Sequence, residues 1–317
     1  MTIQSLKRNL SVSVNGLKVS YNDEGPSNKA VVIFIHGFPL NKTIWDFQLE
    51  SLHDFYRVIA YDMRGMGNSD PGASDFSVAD LADDLIEFMN VLKIDKAIVC
   101  GHSMGGYVLL NAVEKSPSRF EGLVLCSTQS KGDNSESRES RLKTIESIKM
   151  EGVQKFAEKV LIDLFSYLSF TSKREEIASI KDIIEKTKPE ILNRNLDAIM
   201  NRKDMSSFLL EIKIPVLIIV GKRDVITPIL RSEFMHEHIE RSILELINYA
   251  GHLPNLENPW EFNTCIKRFI DLTTLAQKKP YFENPKKSGV DSSITDLGSK
   301  LLMQIQQLIS SKKLASN

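Results

Sequence analysis

The chain has 317 residues, of which 42% are hydrophobic and 26% charged, a globular composition long enough for one large core and an inserted subdomain. Its 40 Lys and Arg against 41 Asp and Glu leave a formal net charge of -1, so there is no basic excess to neutralise phosphates; nucleic acid is disfavoured as a partner and small molecules are favoured. The opening MTIQSLKRNL lacks the pattern of a secretory signal, and no run reaches the ~18 apolar residues of a membrane span, which predicts a cytoplasmic protein with no membrane partner.

Along the chain, continuous apolar runs alternate with helical patterns. Ala30 to Gly37 (AVVIFIHG), Tyr56 to Asp62, Lys96 to Gly101 and Gly122 to Thr128 read as strands covered on both faces, hence parallel and buried. Between them lie a helix capped by Ser77 (SVADLADDLIEFMNVLK) and a helix from Met104 that Pro117 stops. The alternation lapses from about Gln129 to Ile212, where the sequence is helix-like throughout. It resumes with Ile214 to Asp224, a helix near Arg231 to Glu240, the strand-like Ser242 to His252 and a last helix, PWEFNTCIKRFIDL. The expected fold is α/β, with a doubly wound, mostly parallel sheet and an inserted all-helical lid. Its parts are a first core half (1–128), the lid (129–212), a second core half (213–273) and a Lys-, Pro- and Ser-rich linker with a terminal helix (274–317). Cys100, Cys126 and Cys265 read as reduced core thiols.

One stretch carries chemistry. In VCGHSMGGY, Ser103 stands between Gly101 and Gly105, directly after a buried strand and directly before a helix. That is the sequence form of a nucleophile elbow, in which a strained serine lifts its Oγ above the sheet. Such a hydroxyl needs a base, and the base needs a carboxylate, in chain order Ser, Asp, His. Asp224 is the one downstream acid at the carboxyl end of an apolar strand; Asp133, Asp163, Asp182, Asp197 and Asp204 fall in the helical insertion. The alternative for Asp224 is capping of a helix beginning near Thr227. His252 follows a strand at the same sheet edge, after Gly251, and is the candidate base. His102 lies inside the elbow, His53 in a helix-like stretch, and His236 and His238 read as solvated surface, since residues two apart on a helix cannot chelate one metal together. Oxyanion donors are expected at the backbone N–H of Met104 and, from the loop HGFPL, of Phe38, with His36 and Gly37 shaping that turn.

With HGFPLNKTIWDFQ, VIAYDMRGMGNSD, GHSMGG, VGKRDVITP and AGHLPNLENPWEF in that order, the chain resembles the α/β-hydrolase superfamily from about Leu17 to Leu272. More weakly, the insertion resembles the esterase branch that includes 3-oxoadipate enol-lactonase-like proteins. Met66 departs from the family's frequent RGHG histidine, at a position outside the triad. The resemblance implies a serine hydrolase of carboxylic esters or lactones, using no cofactor and no metal. The same triad serves carbon–carbon bond hydrolysis and perhydrolysis, and the fold also hosts slow-turnover ligand receptors. Serine at position 103 disfavours dehalogenase and epoxide hydrolase chemistry, which uses aspartate there. Arg138, Arg141 and Arg202 are candidates for a substrate carboxylate. Beyond the resemblance, Leu297, Leu301, Ile305, Leu308 and Ile309 form an apolar stripe. It would be buried on the chain's own body or against the same helix of a second subunit in a homodimer.

Overall fold

The computed structural model describes residues 7–278, so the terminal apolar stripe and the homodimer expectation attached to it lie outside the described residues. Eight strands form one sheet: β1 (Leu10–Val14), β2 (Leu17–Glu24), β3 (Val31–Ile35), β4 (Arg57–Tyr61), β5 (Ala97–His102), β6 (Phe120–Cys126), β7 (Val216–Gly221) and β8 (Ser242–Ile247). Their spatial order is β1-β2-β4-β3-β5-β6-β7-β8. β2 runs antiparallel to β1 and β4, and every pairing from β4 to β8 is parallel. The first two strands were not among the expected elements. They are a hairpin turned at Asn15 and Gly16, both with positive φ, as a two-residue Asn-Gly connection requires.

Helices α1 (Asp46–Leu52), α2 (Val78–Val91) and α3 (Met104–Lys115) connect the first parallel strands. Ser77 caps α2 through a reciprocal bond with Asp80. Between β6 and β7 the chain is helical: α4 (Ser135–Glu151), α5 (Val153–Leu164), α6 (Ser169–Ser172), α7 (Arg174–Glu185) and α8 (Pro189–Met200). The helices α9 (Ile229–His238), α10 (Pro254–Glu257) and α11 (Pro259–Lys278) complete the chain that is described. Among the described residues no helix is long and apolar enough to cross a membrane.

The parallel strands are apolar throughout because both faces are covered. Ile33, Ile35, Val99 and Leu125 pack with α2 and α3, while Val32, Phe34, Cys100 and Val124 pack with α1 and α11. Phe156, Leu161, Ile184 and Leu192 of the helical insertion join the second of these cores. Cys100 and Cys126 are buried in strands, whereas Cys265 on α11 is only half-buried, a correction to its expected place in the core.

The topology places a site. From β3 the chain crosses to β4 on one side, and the connection from β4 returns past β3 to β5 on the other. Adjacent strands whose connections leave in opposite directions open a crevice at their carboxyl ends, where ligands of α/β sheets bind. The segments following β3 and β5 are HGFPL and the Ser103 turn.

Candidate active site

Ser103 has φ 50° and ψ -114°, a conformation that costs a non-glycine residue about 1–3 kcal/mol. Its surroundings impose it. The Ser103 N–H donates to the Cys126 carbonyl at 2.9 Å, and its own carbonyl accepts from Gly106 N–H at 2.9 Å and from Thr128 Oγ1 at 2.7 Å. The flanking glycines are a matter of space: a Cβ at Gly101 would run into the Gly105 carbonyl, and one at Gly105 would lie 2.6 Å from the Ile35 carbonyl oxygen.

The structure brings Ser103, His252 and Asp224 together from three separate loops. Ser103 Oγ stands 2.9 Å from His252 Nε2, and His252 Nδ1 stands 2.9 and 3.0 Å from the two Asp224 oxygens. With Nδ1–H donating to the carboxylate, Nε2 is left as the acceptor of the serine proton. Asp224 does not cap α9, whose N-cap is Pro228. Its Oδ1 accepts from Ile226 and Thr227 N–H at 2.9 and 2.8 Å, and its Oδ2 from Thr227 Oγ1 at 2.8 Å. Burial pushes the Asp224 carboxyl up, but the neighbouring His252 and the Thr227 donors outweigh it and hold it below the usual carboxylate range. Thr227 is a member of this cluster that sequence reading passed over, although VITP marks a turn.

The HGFPL turn lies beside the serine, since a Cβ on Gly37 would come 2.9 Å from Ser103 Cβ. Leu40 N–H closes the turn on the Gly37 carbonyl at 3.0 Å. His36 anchors it: Met63 N–H donates to Nε2 at 3.0 Å, which leaves Nδ1–H to donate to the Gly37 carbonyl at 2.9 Å. Among the described residues the Phe38 N–H has no acceptor. Met104 opens α3, where an N–H has no helical carbonyl to meet. Both N–H groups belong to segments that adjoin Ser103, the HGFPL turn and the first turn of α3.

The remaining candidates fall elsewhere. Arg138 donates to the Met200 carbonyl at 2.7 Å and to Asn201 Oδ1 at 3.0 Å. Arg141 and Arg202 both pair with Asp133, Arg202 at 2.5 Å and with its side chain buried. All three arginines therefore fasten the ends of α4 and α8. His236 and His238 are half-buried rather than solvated: His236 Nδ1 lies 2.8 Å from Ser242 Oγ, and His238 Nδ1 lies 2.8 Å from the Phe234 carbonyl, because α9 packs against β8. Among the described residues no three His, Cys, Asp or Glu side chains converge as a metal site.

A family model described as alpha/beta hydrolase fold matches residues 30–174. The chain is 28% identical over 256 residues to 3-oxoadipate enol-lactonase 1 of Acinetobacter baylyi, covering 80% of this chain and 94% of that protein. A thermophilic esterase from Thermogutta terrifontis superposes with a TM-score of 0.79 at 31% identity, over 83% of this chain and 98% of the esterase. The enol-lactonase of Burkholderia xenovorans superposes with a TM-score of 0.78 at 25% identity, over 83% and 100%.

Proposed function

Because this chain belongs to the alpha/beta hydrolase fold family, we propose that it is a serine hydrolase of small to medium carboxylic esters or lactones, working through an acyl-enzyme on Ser103. The observation that carries the reading is the continuous line from Ser103 Oγ to His252 Nε2 at 2.9 Å and from His252 Nδ1 to the buried Asp224 carboxylate. His252 takes the Ser103 proton as Oγ attacks the carbonyl carbon, and Asp224 holds the imidazolium that forms. The oxyanion collects between the N–H groups of Phe38 and Met104. When the tetrahedral intermediate collapses, His252 returns its proton to the departing alkoxide. Water, deprotonated by the same histidine, then releases the acid.

The partnered arginines of the helical insertion support a further specification. With Asp133 taking Arg141 and Arg202, and the end of α8 taking Arg138, none of the three is offered to a substrate carboxylate. Uncharged acyl groups are therefore the expected substrates on this reading.

A fluorophosphonate probe tests the covalent step. It is expected to label Ser103 alone, and Ser103→Ala to lose labelling and esterase activity together; an alanine variant that keeps its activity sinks the reading. A panel of p-nitrophenyl esters and lactones, paired as neutral and carboxylate-bearing compounds, is expected to favour the neutral member of each pair.

A further inference from the structure

On the reading that Ser103, His252 and Asp224 carry the reaction, we propose that His102 and Glu257 are positioning residues that fix the main chain of His252, one at its carbonyl and the other at the N–H groups on either side. The problem they solve is local. An imidazole must keep one nitrogen on the serine and the other on the aspartate, yet His252 sits between the end of β8 at Ile247 and the start of α10 at Pro254, with no ladder of strand or helix hydrogen bonds. A displacement of about 1 Å at such a group costs on the order of a hundredfold in rate.

The N–H groups of Gly251, His252 and Leu253 and the His252 carbonyl are nevertheless all taken. Glu257 Oε1 accepts from Gly251 N–H at 2.7 Å and from Leu253 N–H at 3.3 Å. His252 N–H donates to the Leu164 carbonyl at 3.0 Å. The His252 carbonyl accepts from His102 Nε2–H at 2.7 Å. Because His102 immediately precedes Ser103, this last bond ties the base to the backbone that carries the nucleophile, through a single intervening side chain.

Glu257 does a second thing. Its other oxygen, Oε2, accepts from Ser166 N–H at 2.7 Å and from Ser169 Oγ at 2.6 Å, on the segment just after α5. One buried carboxylate therefore holds four donors and joins the base of the helical insertion to the histidine loop. The two approach closely enough that a Cβ on Gly251 would lie 2.6 Å from Ser166 N. Only a carboxylate suits this place. An amide of the same shape supplies one oxygen and turns an NH2 toward the Ser166 N–H, which can only donate.

His102 is equally specific. It is buried, with its ring edge-on to Trp45 and 4.9 Å from that of His252. Its Nδ1 has no partner among the described residues, and a Cβ on Gly37 would lie 2.6 Å from it, so this lone-pair nitrogen faces the HGFPL turn. Burial and the adjacent His252 push its pKa down to about 3, so the ring stays neutral, with one donor, at working pH.

The test is steady-state kinetics on the full chain, with kcat expressed per fluorophosphonate-reactive site so that misfolded protein is not counted. Glu257→Gln and His102→Leu are expected to lower kcat per site about ten- to a hundredfold with KM little changed, and His102→Gln, which keeps a donor, to recover part of the loss. Should Glu257→Gln fail to fold, Ser169→Ala removes one of the four donors and is expected to lower kcat to a smaller degree, again at constant KM. Wild-type kcat per site in these variants, or a loss confined to KM or to thermal stability, overturns the proposal. Failure of the unmodified protein to label at Ser103 would instead overturn the reading on which it rests.

Discussion

Two buried histidines flank the candidate nucleophile, and neither is its base. His36 and His102 are both held below the ordinary imidazole range, foremost by burial, and each spends its N–H on a carbonyl. A histidine neutral in the fold but free to protonate when unfolded stabilises the protein fully above its unfolded value near 6.5. That stability is lost as pH falls toward the folded value, which for His102 is about 3. Within that window each such group costs about 1.4 kcal/mol of unfolding free energy per pH unit. Urea titrations at descending pH are therefore expected to show a steepening loss below about 6.5, and His102→Gln to flatten it; an unchanged slope would place the His102 proton elsewhere. Asp224 tests a different quantity. Asp224→Asn leaves the shape but lets the imidazole take the wrong tautomer, so kcat should drop by roughly 10⁴. A variant within tenfold of wild type would assign the orienting role to another group.

At the scale of elements, the helical insertion is held together by charge as well as by apolar contact. Asp133 precedes α4 and pairs with Arg141 on that helix and with Arg202 just beyond α8. Burial pushes the Asp133 carboxyl up, while the two guanidinium groups overcome this and bring it below the usual range. Arg202 also lies over the Tyr107 ring of α3, at 4.3 Å from its centroid. Asp133→Ala strands a buried guanidinium and is expected to cost about 3–5 kcal/mol in chemical denaturation. Arg141, partly exposed, should cost under about 1 kcal/mol as Arg141→Ala. Equal losses would mean that the cluster acts through packing rather than charge.

For the whole molecule, the decisive feature is that three loops from β5, β7 and β8 deliver their side chains to one point, in contact with the segment that follows α5 of the helical insertion. Phe38 of the HGFPL turn meets Phe156 of α5, with ring centroids 6.1 Å apart, so apolar surface from the core and from the insertion adjoins the turn beside Ser103. On the proposed reading, acyl groups of modest size are expected. Acetate and butyrate esters are expected to be turned over faster than palmitate esters, with no activation at an emulsion surface. Preference for long-chain emulsions would require the insertion to move away as a unit.

The sequence by itself determined the parallel core and singled out three side chains, Ser103, Asp224 and His252, that the fold brings within hydrogen-bond distance. Continuous apolar runs demand strands covered on both faces, and glycines around a serine between strand and helix leave few backbone solutions. The Asn-Gly hairpin of β1 and β2 was equally legible, because VSVNGLKVSY alternates about Asn15 and Gly16 as an edge pair does, unlike the continuous apolar runs of the buried strands. Tertiary structure alone decided what surrounds those side chains. Nothing in the spacing of Glu257 from Ser166, 91 residues apart, or of Arg202 from Asp133, 69 apart, marks them as partners. A buried charge finds its counter-group only once the chain has closed on itself, because the desolvation that makes the pairing necessary does not exist before the core forms. The same closure turned His102 from a residue inside a motif into a donor to the His252 backbone, since its bond spans 150 residues and depends on β5 and β8 presenting their ends at one edge of the sheet.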